Sequence, residues 1–257
     1  MRLTRVHVGE PLATDADLQL PEAAAYHVAR VLRLREGAAI IAFDGSGSEY
    51  RCEILSVTGD RVHVRVGAKT AGLPESPLRI TLVQAVSRGE RMDWTLQKAT
   101  ELGVRRIVPV LTDHSVRPDA VEHEQAHAWA GHVARAAKQC RRSSLPHLLA
   151  PATLDAFLSS PLLVSADLRL FLDDRSDASP APPGPHRRII LLVGPEGGFS
   201  DPECQRLATV ARPWVLGGRV LRAETAALVG LTAVQMAWGD FSHAGPPTSP
   251  PPAARST

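Results

Sequence analysis

Between Leu191 and Ala227 the chain sets glycines, carboxylates and a guanidinium where two apolar segments end, in LLVGPEGGFSDPE and then WVLGGRVLRAETAA. A strand that stops at glycine leaves backbone N–H and C=O groups uncovered, and a ligand can approach them because no Cβ stands in the way. In the first stretch Gly194, Gly197 and Gly198 follow the apolar run Ile189 to Val193. Ser200, Asp201, Pro202 and Glu203 then form an S-x-x-E capping box, so a helix starts there. Strand, glycine turn and helix N-terminus together suggest a phosphate site. The details oppose it: the spacing is G-x-x-G-G, no Gly-Lys-Ser/Thr follows, and Glu196 sets a carboxylate where a phosphate would sit. A cationic or neutral small ligand suits this loop better. In the second stretch Val215 and Leu216 end a strand, Gly217 and Gly218 turn it, and Arg222, Glu224 and Thr225 lead into a helix. One such cluster would be an ordinary strand-to-helix turn. Two in succession read as the walls of one pocket.

The elements that must hold these loops follow from apolar periodicity. Up to about Ala71 the chain reads as β segments broken by hairpin signals at Asp44-Gly45-Ser46-Gly47 and Thr58-Gly59-Asp60. One helix, Glu22 to Arg35, is expected there, closed by Gly37. Gly, Pro and Ser cluster between Ala71 and Pro77 and mark a boundary. Beyond it Ile80 to Val86 is a strand, Met92, Leu96, Ala99 and Leu102 share a helix face closed by Gly103, and Ile107 to Leu111 is the next strand. This βαβ unit implies a parallel sheet and an α/β fold. Trp129, Val133, Ala136, Ala137 and Cys140 recur at helical spacing, which makes Trp129 a packing residue rather than a base-stacking one. The last helix, roughly Ala226 to Trp238, has only Thr232 and Gln235 as strongly polar members, so it needs burial on more than one side. Asp173 to His186 reads as a surface loop, and residues 245–257 read as a Pro-rich disordered tail.

The 257 residues, 44% of them hydrophobic, suffice for one large domain or two modest ones. No segment has the pattern of a signal peptide or a membrane span, which makes the cytosol the expected compartment. Cys52, Cys140 and Cys204 are few, odd in number and far apart, which favours reduced thiols over a disulfide framework or a thiolate metal site. His123, His127 and His132 lie near one helix but lack the companions a zinc site needs, so no metal is expected. The net charge of +2 is uneven: residues 1–72 balance to zero, 73–150 carry +3, and 151–257 carry −1. Arg135, Lys138, Arg141 and Arg142 fall within eight residues without an acid. Such a patch can meet phosphates, although a solvated helix face has the same composition.

GPEGGFSDPE followed by LGGRVLRAETAAL resembles the C-terminal signature of the RsmE family, the 16S rRNA uridine N3-methyltransferases of the SPOUT superfamily. Arg88-Gly89-Glu90-Arg91-Met92-Asp93 leading into Gln97 to Val104 is similar to that family's mid-chain motif, as are Gln139-Cys140 with Arg142 and Pro146 to its next. His27 to Leu34 and Phe43 to Gly47 are similar to its N-terminal domain. Four motifs in order cover nearly the whole chain. Arg88, Lys138, Arg141 and Gly218 stand where the family usually has Lys, an acidic residue, Gly and Pro. The resemblance implies a PUA-like β-barrel for RNA recognition over 1–72 and a SPOUT-type parallel sheet over 73–244. It further implies a deep trefoil knot at the two glycine elbows and a homodimer, which the apolar last helix would suit.

The resemblance also implies S-adenosylmethionine as ligand, held by Val193, Gly194, Pro195, Glu196, Gly197, Gly198, Leu216, Gly217, Val220, Leu221, Arg222, Thr225 and Ala226. The sulfonium cation suits a loop containing Glu196. The implied reaction is methylation of a uridine N3 in 16S rRNA on the assembled small ribosomal subunit. Arg222 would stabilise negative charge on the uracil oxygens, and Glu224 would take the proton or orient Arg222. A salt bridge between the two that merely holds the elbow is the structural alternative. RNA-contact candidates are Arg30, Arg33 and Arg35 in the first domain, with Arg88, Arg91, Arg135, Lys138 and Arg142 in the second. Two rivals remain at this level: a SPOUT methyltransferase acting on tRNA, and an RNA-binding assembly factor without chemistry.

Overall fold

The computed structural model describes residues 3–124, 126–175 and 182–241. The tail expected over 245–257, and the middle of the loop expected over 173–186, lie outside them. The first sheet comprises β1 (Arg5–His7), β2 (Asp17–Gln19), β3 (Ala39–Phe43), β4 (Ser48–Thr58) and β5 (Arg61–Ala71), ordered β1-β3-β4-β5-β2. β1 and β3 pair in parallel, and the pairs β3–β4, β4–β5 and β2–β5 are antiparallel. In β5, Val62, Val64 and Val66 are buried while Arg61, His63 and Arg65 face solvent, the period-2 alternation of a sheet with one wet face. Gly45, Gly47 and Gly59 turn the chain at φ of 87°, 100° and 63°, as the hairpin signals required.

The helix expected over Glu22 to Arg35 is shorter. An α-helix, α1 (Glu22–Tyr26), passes into a π-helical turn over His27–Val31, and Arg33 leaves it with a left-handed φ of 51°. Leu32 N–H bonds the His27 carbonyl and Leu34 N–H bonds that of Val28, so the helix is closed at Arg33, before Gly37.

The second sheet has seven parallel strands: β6 (Arg79–Ala85), β7 (Arg106–Leu111), β8 (His147–Leu148), β9 (Ala152–Thr153), β10 (Leu168–Leu172), β11 (Arg188–Val193) and β12 (Arg212–Trp214). Their order is β12-β10-β11-β6-β7-β8, with β9 also on β7. Helices α2 (Glu90–Glu101), α3 (Trp129–Cys140) and α7 (Ala223–Trp238) cover one face. The other carries α4 (Leu154–Leu158), α5 (Pro161–Val164) and α6 (Asp201–Ala208). Alternate residues of β11 therefore enter different cores: Ile189 and Leu191 pack with α2, α3 and α7, and Ile190 and Leu192 with the opposite layer. Burial on both faces is why these strands read as continuous apolar runs. Trp129 is 1% exposed and sits in the first core, as its helical spacing indicated. Two boundaries move. β12 ends at Trp214, so Val215 and Leu216 already belong to the loop, and α7 begins at Ala223, after an extended Arg222.

The segment after α3 joins the two sheets. Arg141 ends the helix with a left-handed φ of 69°, which turns Arg142 inward. Arg142 donates to the carbonyls of Thr100 and Val104 at 2.7 and 3.0 Å and pairs with Glu75 at 2.7 Å. Next to it Ser143 Oγ donates to Glu49, and Arg5 donates to the Arg142 carbonyl and Ser143 Oγ. The Gly47 N–H reaches the Ser143 carbonyl. The expectation that Arg142 meets RNA is thereby corrected: its guanidinium is committed to the fold. Arg142→Met should lower unfolding stability by about 3 kcal/mol, because Glu75 and two carbonyls lose their donor together. Chemical denaturation with an unchanged midpoint would contradict this.

Candidate active site

The first elbow begins where β11 leaves the sheet. At Gly194 a Cβ would stand 3.1 Å from the Phe199 nitrogen and 3.2 Å from the Gly198 carbonyl carbon, so a side chain there would push the loop apart by a few tenths of an ångström. Gly198 has φ of 69°, and its N–H bonds the Pro195 carbonyl at 2.9 Å. Ser200 then caps α6 in the capping box that its sequence signalled. Glu203 does more than cap. It is 1% exposed, and its two oxygens accept the Ser200 N–H and, from a loop 90 residues earlier, the Asp113 N–H, each at 2.9 Å. His114, in that same loop, places Nδ1 3.1 Å from the carbonyls of both Gly197 and Gly198. Both partners are acceptors, so Nδ1 carries the hydrogen.

The second elbow faces the first across a cavity of about 270 Å³. Val193, Gly194, Pro195, Glu196, Gly197, Gly198, Leu216, Gly217, Val220, Leu221 and Ala226 line it, whereas Arg222 and Thr225, of the expected cofactor residues, do not. Gly217 turns at φ of 85° with open space where its Cβ would be. A third wall was not anticipated: Leu172, Asp173, Asp174 and Arg175, at the end of β10. Arg175 donates to Asp173 at 3.1 Å, Asp201 at 2.8 Å and the Phe199 carbonyl at 3.2 Å, tying this wall to the first elbow. Nothing in the local pattern marks these residues. Only the pairing of β10 between β11 and β12 brings them here.

An adjoining recess of about 310 Å³ shares Glu196, Val220, Leu221 and Ala223 with the cavity and adds Arg91, Arg222 and Glu224. Arg91 pairs with Glu196 at 2.7 Å. Burial pushes the Glu196 carboxyl up, but the hydrogen bond from Arg91 and its charge outweigh this and hold it below the ordinary carboxylate range. The pair therefore stays ionised at neutral pH and is lost only when pH falls through that lowered value. Arg91, expected among the RNA contacts, lies against the first elbow and lines the recess. Arg222 is exposed at the N-cap of α7, and no ion pair joins it to Glu224 among the described residues. Glu224 sits in the first turn of α7, where the helix dipole favours a carboxylate, and its Oε2 is buried without a hydrogen-bond partner among the described residues.

The remaining RNA candidates lie apart. Arg30 pairs with Asp60 and, with Arg33, Arg35, Glu36 and Val57, lines a cleft on the first domain. Arg88 and Arg135 are exposed. Lys138 is half-buried, and burial lowers its pKa. His132 lies 3.5 Å from Asp93, and no group of three metal-ligating side chains occurs among the described residues.

Residues 74–235 match the family model described as an RNA methyltransferase domain, and 20–67 match an RNA methyltransferase PUA domain. A ribosomal RNA small subunit methyltransferase E of Synechocystis is 30% identical over 244 residues, 90% of this chain and 76% of its own. The protein of that name from Buchnera aphidicola subsp. Schizaphis graminum is 26% identical over 94% of this chain and 99% of its own. Among solved structures, the ribosomal RNA small subunit methyltransferase E of Neisseria gonorrhoeae bound to S-adenosyl methionine has a TM-score of 0.83 at 32% identity, covering 93% of this chain and 100% of that one. A methyltransferase of Legionella pneumophila with bound SAM has a TM-score of 0.86 at 34% identity, covering 94% and 100%. The family resemblance drawn from the motifs is borne out, as are its PUA part at the amino end and its parallel-sheet methyltransferase part.

Glu203→Gln tests the clamp on the first elbow. The amide would turn an N–H toward one of two backbone N–H groups, and the clash should cost about 1–3 kcal/mol. A melting temperature equal to that of the parent would refute the clamp.

Proposed function

This chain belongs to the RNA methyltransferase family that holds the ribosomal RNA small subunit methyltransferases E, and we propose that it methylates N3 of a uridine in 16S rRNA with S-adenosylmethionine. One observation carries the reading: two glycine elbows wall a single cavity, and beside it a recess gathers Arg91, Glu196, Arg222 and Glu224. The cavity suits the donor. Leu172, Val193, Leu216 and Leu221 offer apolar surface to a purine, and the elbows offer uncovered backbone groups to its edge. Glu196 is already neutralised by Arg91, so the acid left to face a cationic donor is Asp174, which has no ion-pair partner among the described residues.

When bound, S-adenosylmethionine supplies an electrophilic methyl group on a sulfonium. The chain's own task is to align the acceptor and manage one proton. Holding two reactants at attack distance can supply roughly 7–11 kcal/mol in favourable cases. Uridine N3 is nucleophilic only without its proton, and Glu224, with its unpartnered Oε2, is the acceptor at the recess. Arg222 would stabilise the negative charge that spreads to the uracil oxygens. Base pairing hides N3, so the target nucleotide is unpaired or turned out of its stack. Arg33 and Arg35, with Arg88 and Arg135, are the proposed RNA contacts of the first and second domains, taken as 1–72 and 73–244. Val229 and Met236 leave an apolar strip exposed on α7, and Val220 is 82% exposed, which supports a homodimer. The trefoil knot and action on the assembled small subunit in the cytosol belong to the same reading. No helix among the described residues is long and apolar enough to cross a membrane.

Transfer of labelled methyl to small subunits, large subunits and tRNA in parallel, with the modified base mapped, tests this function. Label confined to a uridine N3 of 16S rRNA is expected, and label on tRNA alone would replace the reading. For the recess, Arg222→Ala should keep donor binding while turnover falls about 100-fold or more. Normal turnover would remove Arg222 from the chemistry.

A further inference from the structure

The carboxyl ends of the parallel strands form the candidate site; their amino ends form something else. There a cleft of about 360 Å³ is lined by Arg79, Arg105, Arg106 and Arg188, with His147 and Ser165, and by no carboxylate among the described residues. The strand register creates this cluster. Arg188 on β11 lies opposite Arg79 on β6, and Arg106 on β7 lies opposite His147 on β8. Backbone bonds fix the row, since Arg79 N–H donates to the Arg187 carbonyl, Arg105 N–H to that of Ile80 and His147 N–H to that of Arg105. Arg188 is answered by Asp167 at 2.9 Å. Arg79, Arg105 and Arg106 have no ion pair or side-chain hydrogen bond among the described residues, and all are at least partly exposed.

Like charges directly opposite each other on neighbouring strands destabilise a sheet, and in the opposed pair Arg188–Arg79 only Arg188 has a carboxylate partner among the described residues. From β11 to β8 the row spans three inter-strand steps, about 14 Å at roughly 4.8 Å each, which exceeds one phosphate group. Guanidinium forks match phosphate oxygens two at a time. We propose that this cleft binds the phosphodiester backbone of the RNA substrate at a second place. It lies at the opposite end of β11 from Val193, about 17 Å from the first elbow at about 3.3 Å per residue. The inference rests on the RNA substrate proposed above and adds where that RNA is gripped: flanking nucleotides continue past the target and are held at the far edge of the sheet. None of these arginines touches the cofactor cavity, so they can be changed without touching the chemistry.

The test is the triple variant Arg79→Gln/Arg105→Gln/Arg106→Gln, compared with the parent for binding to a 16S rRNA transcript over a range of salt concentrations. Each phosphate that is no longer neutralised should reduce the slope of log affinity against log salt by about 0.7–0.9. The expected result is RNA affinity at least tenfold weaker at low salt and a slope shallower by about 2, with S-adenosylmethionine binding and melting temperature unchanged. The corresponding triple Lys variant, which keeps the charges, should retain most of the slope. An unchanged slope overturns the proposal. If the variant loses inorganic phosphate binding yet keeps its RNA slope, the cleft is a small-anion site and the proposal falls. It falls also if the variant binds the transcript normally but intact small subunits poorly, since an acidic protein surface is then the partner. A parent enzyme that binds no RNA would instead remove the proposed function itself, and with it this extension.

Discussion

A buried carboxylate holds the working end of this molecule together. Glu203 accepts one backbone N–H from its own helix cap and another from Asp113, and so ties the loop after β7 to the loop after β11. With that loop comes His114, whose ring bonds the Gly197 and Gly198 carbonyls. Glycine elbows are useful because they expose backbone, and for the same reason they carry no side chains to pack. Their shape must then be imposed from outside. Glu203, His114 and Arg175 impose it from three directions.

Charge at the site is divided between structure and substrate. Arg91 neutralises Glu196 beside the cavity, while Arg222 and Glu224 stand close by without pairing to each other. A guanidinium and a carboxylate in one recess would normally combine. Here Arg222 occupies the extended N-cap and Glu224 the first helical turn of α7, so their side chains leave the backbone from differently oriented positions. In the proposed function both act on the substrate. Arg142, by contrast, uses the same chemical group to fix the joint between the sheets.

Local signals in the sequence marked the elbows, the capping box and the strands. The runs Ile80 to Val86 and Ile189 to Val193 are apolar because both faces of the sheet are covered, and Ser200 and Glu203 announce their helix within four residues. What stayed hidden depends on partners distant in the chain. Asp173, Asp174 and Arg175 become a cavity wall only through the position of β10 in the sheet. His114 meets its carbonyl partners across 83 and 84 residues. Charge counting treated Arg142 like Arg135, whereas a left-handed Arg141 turns one inward and leaves the other exposed. The arginines at the amino ends of β6, β7 and β11 are scattered in sequence and meet around one cleft only because the sheet sets these strands side by side.

Titration calorimetry of S-adenosylmethionine into the purified protein, beside a Leu221→Lys variant, bears most directly on the claim that the two elbows form one donor pocket. Leu221 borders both the cavity and the recess, so an ammonium there opposes a cationic donor without disturbing the sheet. The account predicts binding at one site per chain, weakened more than tenfold in a variant that melts like the parent. Absence of binding to the parent, or equal affinity in the two proteins, would contradict it.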